Sequence, residues 1–134
     1  MRPVILAALI STFAACSAGP QPVERSPRAE LRMQKELAGK VAGAPVRCLE
    51  RSQSNDMVAI DDQTILFRSG RARTFVNHPT GACSGLASGW YTLVTHTYGD
   101  SRLCRGDIAK VADLRTGMVV GSCVLGDFVP YTRG

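Results

Sequence analysis

Gly81-Ala82-Cys83-Ser84-Gly85 spells G-x-C-x-G, the cysteine form of a nucleophile elbow, in which flanking glycines let a sharp turn expose the reacting side chain. A thiolate at Cys83 would need to stay reduced beside a base. The two histidines, His78 and His96, are the available bases, with Asp61, Asp62, Asp100 or Asp107 as orienting carboxylates and Ser84 as a hydroxyl nucleophile. The setting argues against this chemistry, because an elbow of this kind belongs to a much longer chain of alternating strands and helices. His78 lies in Asn77-His78-Pro79-Thr80-Gly81, a turn sequence, and His96 lies among Thr95, Thr97 and Tyr98. No catalytic residue is therefore expected, and Cys83 reads as part of a glycine-rich disulfide loop. Asp61 and Asp62, being adjacent, would point to opposite faces of an extended strand, which suits a turn or cap better than a cation site.

The guanidinium groups of Arg68, Arg71 and Arg73 form the candidate anion-binding site. They flank a Ser69-Gly70 turn, and Arg71 and Arg73 alternate onto one strand face. Such groups hold phosphates or carboxylates, here of lipid A, anionic phospholipid or peptidoglycan. The plainer reading is a charged edge that resists strand pairing. Arg105-Gly106-Asp107 matches an integrin tripeptide by accident, and its glycine marks a bulge or bend. Trp90, Tyr91, Phe67, Phe75 and Phe128 suit a core or rim better than a stacking surface. A dense basic stripe with interleaved aromatics is lacking, so nucleic acid is not an expected partner.

The N-terminal residues set the compartment. Arg2 precedes an apolar stretch from Val4 to Ala15 that has signal-peptide length and is too short for a membrane-spanning helix. It closes on Phe13-Ala14-Ala15-Cys16, which resembles the lipobox of bacterial lipoproteins, with Phe13 where Leu is usual. That resemblance implies a signal peptide over residues 1–15 and lipidation at Cys16. Cleavage beyond Cys16-Ser17-Ala18 is the alternative and would leave a soluble periplasmic protein. Of five cysteines, assigning Cys16 to a lipid leaves Cys48, Cys83, Cys104 and Cys123. In an oxidising compartment these four read as two disulfides, with three pairings open. Their spacing and the isolated histidines do not describe a metal site, and no cofactor is expected. The formal charge of +5 falls by one with Arg2, a mild excess that favours anionic surfaces.

Residues 16–25, with Gly19, Pro20 and Pro22, read as a tether. Ser26-Pro27 then offers a cap and a first-turn proline for an amphipathic helix over residues 26–42, its apolar row being Ala29, Met33, Leu37 and Val41. Residues 44–134 show short runs separated by turns, the pattern of a small antiparallel sheet or barrel. Strands are expected near Val46–Leu49, Met57–Ile60, Thr64–Arg68, Arg73–Asn77, Trp90–Thr97, Leu103–Asp113 with a break, and Met118–Val124. The continuous apolar run Ile65-Leu66-Phe67 suits a strand covered on both faces. If the first and last of these strands are neighbours, the disulfides are Cys48–Cys123 and Cys83–Cys104.

Cys48-Leu49, Ile60-Asp61-Asp62-Gln63-Thr64-Ile65-Leu66-Phe67, Cys83-Ser84-Gly85-Leu86, Leu103-Cys104-Arg105-Gly106-Asp107 and Gly121-Ser122-Cys123-Val124-Leu125-Gly126-Asp127-Phe128-Val129-Pro130 stand in an order that resembles a family of small exported proteobacterial proteins of unknown function. The resemblance covers roughly Val46 to Pro130. It implies export, four paired cysteines and a compact β domain, and it carries no catalytic residues. The expectation is a mainly β lipoprotein of the bacterial envelope, held on the outer membrane through Cys16 and facing the periplasm. It would act as a noncatalytic binding or structural module for an envelope protein or anionic envelope component. A small periplasmic hydrolase or enzyme accessory factor is the alternative. Intact mass spectrometry of membrane-extracted protein should give a chain that starts at an acylated Cys16, with four cysteines that alkylate only after reduction.

Overall fold

The computed structural model describes residues 24–96 and 99–134, so the expected signal peptide and most of the expected tether lie outside the described residues. The chain is mainly β, with antiparallel sheets, one helix of more than a single turn and two disulfides.

Helix α1 spans Pro27–Leu37. Ser26 caps it, its Oγ accepting from the Ala29 amide at 3.2 Å, and Pro27 occupies the first turn, where no amide donor is needed. Ala29, Met33 and Leu37 face the sheet as one row. The helix ends earlier than the expected residue 42, because Gly39 takes φ +71° and turns the chain out. Val41 therefore leaves the apolar row and sits exposed in strand β1, Lys40–Ala42.

The strands that follow are β2 (Cys48–Leu49), β3 (Asp56–Asp61), β4 (Thr64–Ser69), β5 (Arg73–Asn77), β6 (Tyr91–Thr95), β7 (Leu103–Cys104), β8 (Ile108–Asp113), β9 (Val119–Val124) and β10 (Phe128–Arg133). A single helical turn, Arg51–Ser54, follows β2. The main sheet has the order β1-β10-β5-β4-β3, and β2-β7 and β6-β8-β9 form two smaller sheets. All are open, so the barrel alternative is set aside: among the described residues no sheet closes on itself.

The main sheet is buried on both faces. On one side Val58, Ile60, Leu66 and Val76 meet α1. On the other, Ile65, Phe67, Phe75 and Phe128 pack with Leu49, Leu103, Val111 and Leu125 of the smaller sheets and their loops. Phe67 and Phe128 meet edge to face with centroids 5.7 Å apart. The buried Asn77 side chain joins this layer to the loop before β10: Nδ2 donates to the Gly126 carbonyl at 2.7 Å, and Oδ1 accepts from its amide. Gly126 has to be glycine, since a Cβ there would lie 2.5 Å from the His78 carbonyl oxygen.

Sequence reading misses β1, which it places in the helix, and β10. β10 lies inside the main sheet with Pro130 at its centre, where proline is unusual. The register explains the exception. Pro130 falls where β1 gives out, and its carbonyl still accepts from the Gly43 amide at 2.7 Å while its missing donor would face the same chain end.

The guessed cysteine pairing is corrected. The bonds are Cys48–Cys104 and Cys83–Cys123. The guess made the first and last strands neighbours, but β2 pairs with β7, placing Cys48 opposite Cys104, while β9 pairs with β8.

Asn77→Ala should destabilise the fold by about 1–2 kcal/mol, because the half-buried backbone groups of Gly126 would lose their partners. Urea denaturation of the oxidised protein checks this, the expected result being a lower midpoint with an unchanged slope.

Candidate functional site

A cleft of about 680 Å³ opens at the start of α1. Its walls are the first two turns of α1, the β3–β4 turn at Asp61, Asp62 and Gln63, and the loop carrying Ala82, Ala87 and Ser88. Three interactions hold these walls together. Arg25, the last residue of the expected tether, spans helix and sheet. Its Nε donates to Asp61 Oδ2 at 3.0 Å, Nη1 to Glu30 Oε2 at 3.0 Å and Nη2 to Thr64 Oγ1 at 3.1 Å. Asp62 holds the opposite loop, its carbonyl accepting from the Cys83 amide at 2.7 Å and its Oδ2 from the Gly85 amide at 3.0 Å. The Cys83–Cys123 disulfide then fixes that loop to β9.

Those contacts commit most of the charge in the cleft. Asp61 is paired with Arg25 and also closes its own turn, Oδ1 accepting from the Gln63 amide at 2.8 Å. The Glu30 carboxyl is held below its ordinary range by the Arg25 hydrogen bond and, secondarily, by that of Gln34. Besides the exposed Glu24, Arg28 and Arg32 remain. Both line the cleft from successive turns of one helix face, both are exposed, and neither makes an ion pair among the described residues. Arg32 donates only to the Ala59 carbonyl, at 3.1 Å. Like charges four residues apart on a helix repel one another, so this pair offers an anion a place between them. In the sequence both simply lie off the apolar row of the helix, although their i, i+4 spacing is legible there.

The expected anion-binding set is divided. Arg68 lies on the helix-facing side of β4, donating to both carboxylate oxygens of Glu36 at 2.9 and 2.5 Å, with Asp56 at 3.6 Å. Arg71 stands in the β4–β5 turn and Arg73 at the start of β5, both exposed. Sequence pattern could place all three at one hairpin but could not show that α1 supplies a carboxylate to the first.

The residues considered for catalysis do not converge. His78 is exposed, with Nδ1 3.3 Å from the Gln63 carbonyl oxygen. His96 is exposed beyond the end of β6. Among the described residues neither histidine contacts Ser84 or a carboxylate through a hydrogen bond. Cys83 is oxidised and fully buried. Asp107 serves a turn, accepting from the Cys104 amide at 2.7 Å, and Gly106 beside it takes φ +92°. The aromatic residues separate as well. Phe67, Phe75 and Phe128 are buried, whereas Trp90 is exposed under the Arg115 guanidinium at 5.7 Å.

Comparison with protein-family models, with curated proteins and with solved structures returns no match.

The Arg68–Glu36 pair is the side-chain ion pair that pins the end of α1. The Arg68 hydrogen bond holds the Glu36 carboxyl below its ordinary range, against the opposing effect of burial. Because the folded value is depressed, this stabilisation is complete above the unfolded value of about 4.3 and is lost as pH falls through the lowered one. Glu36→Gln should cost about 0.5–1 kcal/mol at pH 7, discounted for the partly exposed Arg68. The gap between variant and parent in denaturant midpoint should narrow as pH falls below about 4.3.

Proposed function

We propose that this chain is a noncatalytic binding module of the bacterial cell envelope, tethered to a membrane by a lipid on Cys16 and facing the periplasm. The apolar stretch ending in Ala14-Ala15-Cys16 supports the tether, and two disulfides in so small a domain suit an oxidising compartment. The resemblance of the cysteine-bearing sequence motifs to those of small exported proteobacterial proteins agrees with both.

The binding half of the reading rests on one observation, the Arg28–Arg32 pair on the helix wall of a cleft in which Arg25 and Asp61 are already paired with each other. Guanidinium groups one turn apart, with Ser26 and Gln63 nearby as neutral hydrogen-bonding groups, suit a carboxylate or phosphate carried by a larger envelope component. The cleft is held by a disulfide and by the Arg25 bridge, so binding orders little new structure and the ordering cost is small. Arg71 and Arg73 provide a second cationic surface for the same anionic material.

Sedimentation of the mature protein with isolated cell-wall sacculi in detergent tests this. Binding should weaken steeply between low salt and 0.5 M salt, and Arg28→Glu with Arg32→Glu should weaken it about tenfold or more, equivalent to roughly 1.4 kcal/mol. Arg71→Glu with Arg73→Glu should have the smaller effect. Salt-independent sedimentation, or a loss confined to the Arg71 and Arg73 variant, would remove the cleft from the reading.

A further inference from the structure

Among the described residues eight large apolar side chains are more than half exposed, and five of them gather at one end of the β6-β8-β9 sheet: Trp90, Leu114, Met118, Val119 and Val120. Scattered singly, such residues need no explanation, whereas a contiguous patch marks a contact surface. The strand pairing makes these contiguous. Tyr91 and Val111 pack in the core and Tyr91 opposes Asp113, so alternation sends Trp90, Ala112 and Leu114 to the outer face. The Leu114 amide donates to the Trp90 carbonyl at 3.0 Å, which makes those two residues neighbours, and Val119 stands opposite Ala112 on the same face. Val120 is the extra residue of a bulge, so β9 carries two exposed valines in succession.

Shape and charge restrict what can cover this surface. Every residue from Leu114 to Val120 is exposed, as is every one from Ala87 to Trp90, so the patch consists of two projecting tips and not of a groove. The tip between β8 and β9 is closed on itself. Asp113 Oδ1 accepts from the Arg115 and Thr116 amides at 2.7 and 3.0 Å, and the Asp113 carbonyl accepts from the Gly117 amide at 2.8 Å. That commits the Asp113 carboxylate to the turn, and from Leu114 to Gly126 the chain holds one charge, Arg115. Its guanidinium lies 5.7 Å from the centre of the Trp90 ring and makes no ion pair among the described residues. Lys110 is a second exposed cation on the outer face of β8. A tryptophan edged by cations on an apolar tip suits a bilayer interface, where the ring sits at headgroup level and the cations meet lipid phosphates.

The start of the described chain lies at this same end. Glu24 lines one cleft with Ala87 and Ser88, and the Trp90 amide donates to Ser88 Oγ at 3.3 Å. Cys16 stands eight positions before Glu24. An extended chain spans at most about 3.6 Å per residue, so a lipid on Cys16 would hold Glu24 within about 29 Å of the acyl chains. We propose that Trp90 and the β8–β9 tip, Leu114 and Met118 foremost, insert into the interface of the bilayer that holds this lipid. The orientation rests on the reading of Cys16 as the tether, whereas the affinity of the tips for lipid does not. A contact this small is weak alone, and the tether makes it effective by keeping the bilayer at high local concentration.

Trp90 is the single tryptophan of the chain, so intrinsic fluorescence reports this contact alone. In mature protein reconstituted into vesicles of phosphatidylethanolamine and phosphatidylglycerol, Trp90 emission should move to shorter wavelength, lose accessibility to aqueous acrylamide and be quenched by lipids brominated on their acyl chains. Leu114→Glu with Met118→Glu should reverse all three while the acylated protein stays with the vesicles and keeps its urea midpoint, both side chains being exposed. Trp90 as open to acrylamide with vesicles as without them would overturn the proposal, as would quenching indifferent to the two substitutions. A shift in detergent that grows with protein concentration would also overturn it, by putting a second copy on the tips. Intact mass of the same sample reports Cys16 separately. If Cys16 is unmodified, only the tether reading falls: vesicle titration of that soluble chain still tests the tips, the double substitution weakening partitioning by about tenfold or more.

Discussion

The burial of β4 on both faces is the constraint from which the other layers follow. Thr64, Ile65, Leu66 and Phe67 are all nearly inaccessible to solvent, so the strand cannot leave either face of its sheet to water. Alternation sends Leu66 to one side and Ile65 and Phe67 to the other. The first side needs an apolar helix row, which Ala29, Met33 and Leu37 provide. The second needs another apolar layer, which comes from residues on β2, β7, β8 and β9. Polar positions on the same strands create further requirements. Thr64 receives a hydrogen bond from Arg25, and Thr74 on β5 receives one from Lys40. The ion pairs that seat α1 thus sit beside hydroxyls that would otherwise be buried without partners.

The second layer is the weaker one, since sheets of two and three strands do not hold independently without a large apolar face. The two disulfides act there. Cys48–Cys104 closes the two-stranded ladder across opposite positions, and Cys83–Cys123 ties the loop after β5 to β9. With sequence separations of 56 and 40, each contributes about 4 kcal/mol in the chain-entropy account. That is comparable to the whole stability of many small domains, about 5–15 kcal/mol. The second bond has a functional consequence too. It fixes the loop that carries Ala87 and Ser88, one wall of the cleft.

Those parts of the fold governed by local rules were legible in the sequence. The Ser26-Pro27 start of α1 and the strands around Ile65 and Phe75 follow from capping chemistry and from short apolar runs bounded by turns, which involve few residues at a time. Long-range partnership was not legible. β10 was hidden because Pro130 argues against a central strand unless one knows that β1 ends beside it. The disulfide pairing depended on which strands adjoin, and no local signal in β2 or β9 states that. Arg68 looked like a surface cation because Glu36 is 32 residues away in sequence and reaches it only once α1 docks.

One feature runs against local preference and is answered only in part inside the chain: Arg28 and Arg32 stack like charges on one helix face, with the Ala59 carbonyl and Glu36 acting on Arg32 alone. Elsewhere, departures of this kind are answered within the fold: Gly126 by the His78 carbonyl, Pro130 by the end of β1, and the buried Asn77 by Gly126 and Asp127. Sequences that fold well are consistent across levels, and their residual conflicts collect where something outside the chain is engaged. The Arg28–Arg32 face is the place where this chain answers such a conflict only in part, and an anion seated there would complete it.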